Sequence, residues 1–175
     1  MNDNSRFIFL LGGEDLEMHT IRQLLDKNGY RYYDKHLRWE NACLSAYRKE
    51  ITDYTGDDTP LWVGIELQKD MNLPSNYISI DHHNRNAHKP SSLEQVAELL
   101  EIPLSRQEQL IAANDRAYIP GMKALQASDA EIAGIRQADR AFQGVTEEEE
   151  KLAELAIREH IQVCDNLIVV RALCH

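Results

Sequence analysis

Short apolar runs that halt abruptly, each followed by helical periodicity, constrain this chain more than any other feature. Residues 7–11 are continuously apolar and stop at Gly12-Gly13, which reads as a buried strand. Met18, Ile21, Leu24 and Leu25 then recur at helical spacing, with Gly29 placed to end the helix. Residues 30–33 form a weaker strand candidate; 61–67 and 77–80 read as the third and fourth strands, and 167–173 as a last strand that completes the sheet. Helices are expected over 42–51, from Ser91-Ser92 to Leu100, and over 106–114, 129–142 and 147–163, with a loop at 56–60 and a break at Pro120-Gly121. Ser91 and Glu94 have the spacing of a capping box. Strands that alternate with helices are joined by right-handed crossovers. The expected fold is therefore a single α/β domain over 1–175, with a mostly parallel sheet of about five strands and helices on both faces. A strand so near His175 equally fits the start of a further element, which would make these residues the N-terminal part of a longer protein.

The 175 residues are enough for one domain with a real core. A net charge of −10 argues against bulk nucleic-acid binding, which rests on many Lys and Arg contacts to phosphate. Cys43, Cys164 and Cys174 are scattered and odd in number, so a disulfide scaffold or zinc finger is not expected, and a reducing compartment is. No apolar run approaches the length of a membrane span and the N-terminus is polar, so the expected location is the cytoplasm.

The strand at 77–80 runs into Asp81-His82-His83. A carboxylate and two imidazoles at the carboxyl end of a strand sit where open α/β sheets place ligands, and both ligand types suit a divalent metal. Other carboxylates share this context. Asp15 and Glu17 follow the first strand, and Glu66 closes the third. Asp115 falls four residues after Ile111, so a helical Asp115 points inward and needs a metal or Arg116 as partner. Singly these are an ordinary first-turn glutamate, a solvated strand end and an ion pair. Together they have the makeup of a two-metal site, in which a bridging carboxylate holds two cations about 3.5–4 Å apart. Asp139 lies on the apolar stripe of its helix and reads as a structural ion pair, with Arg116 a candidate partner.

The strand followed by Asp81-His82-His83 resembles the signature motif of the DHH phosphoesterase superfamily, which includes RecJ-like nucleases, oligoribonucleases, cyclic-dinucleotide phosphodiesterases and family II pyrophosphatases. The family's other motifs are two aspartates one residue apart after the first strand, an aspartate ending a later strand, and an aspartate further on. They match Asp15 with Glu17, Glu66 and Asp115, so that the resemblance covers roughly residues 6 to 120. Glu17 and Glu66 stand where the family has aspartates. The family's histidine before the first pair has no counterpart in 11–13, with Glu14 and His19 as nearby substitutes. Its C-terminal substrate domain is not in this sequence.

The resemblance implies two divalent ions, Mn²⁺ or Mg²⁺, held by Asp15, Glu17, Glu66, Asp81, His82 and Asp115, with Glu66 bridging. It gives His83 and Asp81 catalytic roles, His83 as donor or acid to phosphate. Arg85, His88, Lys89 and Arg116 would contact a small phosphorylated molecule or nucleotide, with Asn84 and the Ser91-Ser92 helix start turned the same way. The expected function is a metal-dependent phosphoesterase. The alternative is a catalytically silent DHH-like domain that binds a nucleotide or a protein partner.

Overall fold

The computed structural model describes residues 6–55 and 59–173; the loop expected at 56–60 lies partly outside the described residues, as does Cys174. Four strands form one sheet: β1 (Phe7–Leu11), β2 (Arg31–Tyr33), β3 (Leu61–Ile65) and β4 (Tyr77–Ile80), in the order β2-β1-β3-β4. Every pair is parallel, with Phe9 beside Tyr32 and Val63, and Ile65 beside Ile80.

Alternation along β1 divides the core. Phe9 and Leu11 join Val63, Ile65 and Ile80 on one face, packed with α1 (Leu16–Asn28), α3 (Ser92–Leu99), α4 (Arg106–Ala124) and α5 (Asp129–Phe142). Ile8, Leu10 and Trp62 point the other way, against Ala42, Leu44, Tyr47 and Leu67. Helix α1 starts at an Asp15 cap and ends at Gly29, whose φ of 69° is the left-handed geometry glycine adopts without strain. The capping box at Ser91 and Glu94 is formed, and α4, α5 and α6 (Glu147–Glu159) begin with the same device at Ser105, Ser128 and Thr146.

The structure departs from the sequence reading in four places. The helix expected over 42–51 is instead a 3₁₀ turn, Leu44–Tyr47, and a short α2 (Arg48–Thr52), with another 3₁₀ turn, Trp39–Asn41, just before it. A parallel bridge between Cys43 and Gln68 takes the backbone groups a helix would use: Leu44 N donates to Gln68 O and Gln68 N to Ala42 O. The strand expected at 167–173 is not a fifth strand of the sheet. It is β6 (Leu167–Val170), paired antiparallel with β5 (Ile161–Cys164), and all eight residues of this hairpin are exposed. A partner one tight turn away, with Asp165 at φ 53°, captures the run at little loop-closure cost. The helix expected over 147–163 correspondingly ends at Glu159. In α4 the break falls at Ala117 and Tyr118, upstream of Pro120, because a proline ring clashes with the carbonyl four residues before it.

Gly12 sets how closely β1 runs out beside β3. A Cβ there would meet the Ile65 carbonyl and lie 2.6 Å from the Glu66 carbonyl oxygen, both rigid backbone. Gly12→Ala is expected to destabilise the protein by about 1–3 kcal/mol through this forced shift. Urea unfolding monitored by circular dichroism measures the loss; an unchanged midpoint would remove Gly12 as a packing constraint.

Candidate metal centre

Strand order places β2 on one side of β1 and β3 on the other, so successive connections leave β1 in opposite directions. The carboxyl ends of β1 and β3 therefore flank a topological switch point, the crevice where such sheets hold ligands. Glu17 enters it from the first turn of α1, Glu66 directly after β3, His82 and His83 after β4, and Asp115 from α4.

Each side chain is held by its neighbours. Asp15 Oδ1 accepts from Met18 N at 2.8 Å and so caps α1. Glu17 is buried, and its Oε1 accepts from Leu93 N at 3.0 Å. Glu66 adopts φ 53°, a left-handed conformation that glutamate holds only when its surroundings enforce it. Its amide donates to Ile80 O at 2.8 Å, and its Oε1 accepts from Ser92 Oγ at 2.7 Å. Asp81 accepts from His83 N at 2.9 Å and from Asn86 Nδ2 at 2.8 Å, which fixes the turn carrying both imidazoles.

The carboxylates converge on one nitrogen. His82 Nε2 lies 2.6 Å from Asp115 Oδ2, 3.4 Å from Glu66 Oε1 and 3.6 Å from Glu17 Oε2. His83 Nε2 is 3.4 Å from the same Glu66 oxygen, and the two imidazoles lie 4.3 Å apart. Yet Glu17 Oε2, His82 Nε2, His83 Nε2 and Asp115 Oδ2 are buried without a hydrogen-bond partner. Buried polar atoms are rarely left so. Two overlapping groups have the spacing of metal ligands, Glu17-His82-Asp115 and Glu66-His82-His83.

The electrostatics express crowding. Burial, then repulsion from Glu66, pushes Asp15 up to about 7. Burial likewise pushes Glu17 well above the carboxylate range, against the pull of His82. Glu66 is also opposed by burial, but His82, His83 and Ser92 outweigh it and hold the carboxyl low. Burial alone would lower His82; the carboxylates of Asp115, Glu17 and Glu66 overcome it and push the ring up. His83 is raised chiefly by Glu66.

The expected site residues do not all occupy this point. Glu17, Glu66, His82, His83 and Asp115 come together, while Asp15 and Asp81 border them as a helix cap and a turn brace. Arg85 and His88 are exposed and Lys89 is half-buried on the segment after His83. Arg116 approaches Glu94 at 3.6 Å rather than Asp115, and Asp139 pairs with Arg136 at 2.6 Å rather than Arg116. Glu14 approaches His36, and His19 contacts Gln23. The α3 start, expected to face phosphate, instead spends Ser92 Oγ and Leu93 N on Glu66 and Glu17. The sequence reading also passed over Trp39, whose ring stands edge-on to His83 at 5.5 Å, because an aromatic residue in a loop after a short strand carries no periodic signal.

No family model, curated protein or solved structure matches this chain. Among the described residues, no helix is long and apolar enough to cross a membrane.

Raised carboxyl values make metal-free stability depend on pH. Between its ordinary 3.8 and about 7, Asp15 holds a proton in the folded chain that it releases on unfolding, and Glu17 does the same from 4.5 upward. Stability therefore falls as pH rises through this window. Chelator-treated protein is expected to melt at a lower temperature at pH 8 than at pH 5. Glu17→Gln keeps an acceptor for Leu93 N but carries no charge, so it should recover about 2–4 °C at pH 8 and change little at pH 5. Scanning calorimetry at the two pH values checks this; equal melting temperatures would remove the carboxyl burden.

Proposed function

We propose that this chain is a divalent-metal-dependent phosphoesterase of the DHH kind, acting on a small phosphorylated or nucleotide substrate. The observation that carries the reading is the set of orphaned ligand atoms around His82. Carboxylate oxygens and imidazole nitrogens, buried, converging and without a hydrogen-bond partner, suit Mn²⁺ or Mg²⁺. An imidazole nitrogen offers one lone pair, so the two groups that share His82 describe one complete ligand set and a partial neighbour. Glu17, His82 and Asp115 would hold the first ion. Glu66, beside both imidazoles and sensed by Asp15, would reach to the second. Such ions, when bound, supply a hydroxide at neutral pH and neutralise phosphoryl charge.

The chain's own groups do the rest. Ser92 and Leu93, at the start of α3, fix the orientation of Glu66 and Glu17, as partners behind metal ligands do. His83 is half exposed in a cleft of about 570 Å³ that it shares with Asp81, Asn84 and Trp39. Its proton, favoured by Glu66, is available to a phosphoryl or leaving oxygen. Asp81 acts by holding the His83 backbone, so its removal is felt through the imidazole. The rival, a silent domain that binds a nucleotide or a protein partner, draws on one observation. Arg85, His88, Lys89 and Arg116 do not line this cleft.

Titration of chelator-treated protein with Mn²⁺ is expected to show binding that His82→Ala weakens at least about tenfold. Hydrolysis of bis-p-nitrophenyl phosphate should require Mn²⁺, stop on addition of EDTA and fall by roughly a hundredfold or more in His82→Ala. Hydrolysis that survives both treatments would overturn the reading; Mn²⁺ binding without hydrolysis across phosphodiester and phosphomonoester substrates would favour the silent domain.

A further inference from the structure

Beside the carboxylates lies a second cleft, of about 580 Å³, with Asp15 in its lining and two exposed aromatic rings, Trp39 and Phe142, on its walls. Single exposed aromatics are ordinary on protein surfaces. These two are different in placement. Trp39 is 48% exposed although it is wedged against Gly13, where a Cβ would lie 2.6 Å from the indole. It lines this cleft and also the neighbouring one that holds Glu66, Asp81 and His83. Phe142, 39% exposed at the end of α5, is held by the His19 ring at 4.5 Å. Trp39 is thus backed by the Gly13 backbone and Phe142 by the His19 ring, and both remain partly open to solvent.

We propose that the Trp39–Phe142 cleft is a nucleobase subsite, which would make the substrate of the adjoining centre a nucleotide. The inference rests on the phosphoesterase reading and names its substrate class. A flat base stacks on indole or phenyl faces regardless of its identity. Charge sets the polarity of binding. Glu14, Glu40 and Asp15 border the cleft against one cation, Arg38, so a phosphate is disfavoured there, while base N–H groups find acceptors. A base stacked on either ring would direct its phosphate past Trp39, which lines both clefts, toward Glu66 and His83. The volume lies within the range of small-molecule sites.

Calorimetry with Mn²⁺-loaded protein compares AMP, ribose 5-phosphate and phosphotyrosine. AMP is expected to bind about tenfold or more tightly than ribose 5-phosphate, the contribution of base stacking. Trp39→Ala should reduce that preference to within about twofold, and Phe142→Leu, which keeps an apolar side chain but no ring, should reduce it by several-fold. Trp39→Phe should keep most of it. Equal binding of AMP and ribose 5-phosphate would overturn the base subsite and leave the phosphoesterase reading standing. Phosphotyrosine binding as tightly as AMP, or a preference unchanged in both ring-deleting variants, would also overturn it. Failure of all three ligands on Mn²⁺-loaded protein that hydrolyses bis-p-nitrophenyl phosphate would overturn the base subsite alone; failure of all three together with no such hydrolysis would overturn the phosphoesterase reading as well.

Discussion

Like charges buried within reach of one imidazole are the constraint on which this structure turns. Glu17, Glu66 and Asp115 each approach His82 Nε2, and a single proton or positive charge cannot satisfy three carboxylates. Desolvated acids neutralise, pair or bind a cation. The fold answers in part by aiming donors at two of the carboxylates, Leu93 N at the Glu17 oxygen turned away from His82 and Ser92 Oγ at the Glu66 oxygen that faces the imidazoles, and in part by leaving Glu17 and Asp15 with raised affinity for protons. Its backbone is bent to the same end: glycine where β1 passes Glu66, a left-handed glutamate after β3, and a helix that breaks just beyond Asp115.

The start of α3 shows how the burden is distributed. Its Ser91 side chain serves the helix's own capping box, so the helix needs no ligand to complete it. The next two residues turn outward from that role to the carboxylates, where the positive end of the helix also favours negative charge. Groups that would otherwise greet a phosphate are thereby committed to the residues beneath it. If the centre is a phosphoesterase site, recognition of substrate would fall to side chains further out, where the cleft walls beside Asp15 carry aromatic rings and one cation, Arg38.

Much of the architecture was legible because it is written in local patterns. β1, β3 and β4 follow from apolar runs, α1 from its spacing and Gly29, and α3 from Ser91 and Glu94. Convergence of Glu66, His82 and Asp115 followed from their strand-end and inward-facing positions. What escaped depends on partners distant in sequence or on competition between near and far. The 42–51 segment reads as helix but commits the Leu44 amide and the Ala42 carbonyl to Gln68. The 167–170 run has every mark of a buried strand, yet a mate at 161–164 claims it, and it remains in solvent. Asp81 and Asp115 were both expected among the metal ligands; only the turn geometry shows that one braces the loop while the other faces His82.

The reciprocal caps on α3, α4, α5 and α6 carry a consequence for the order in which the molecule assembles. Each specifies where a helix begins through residues three apart, with no help from the rest of the chain. The candidate metal centre, by contrast, joins residues from 17 to 115, and closing such spans costs entropy before any contact offsets it. Helices so capped are therefore expected to form before the carboxylates meet. A site completed after the rate-limiting step would leave its mark on the escape from the native state: substitutions at Glu17, Glu66 or Asp115 are then expected to change how fast the protein unfolds more than how fast it folds.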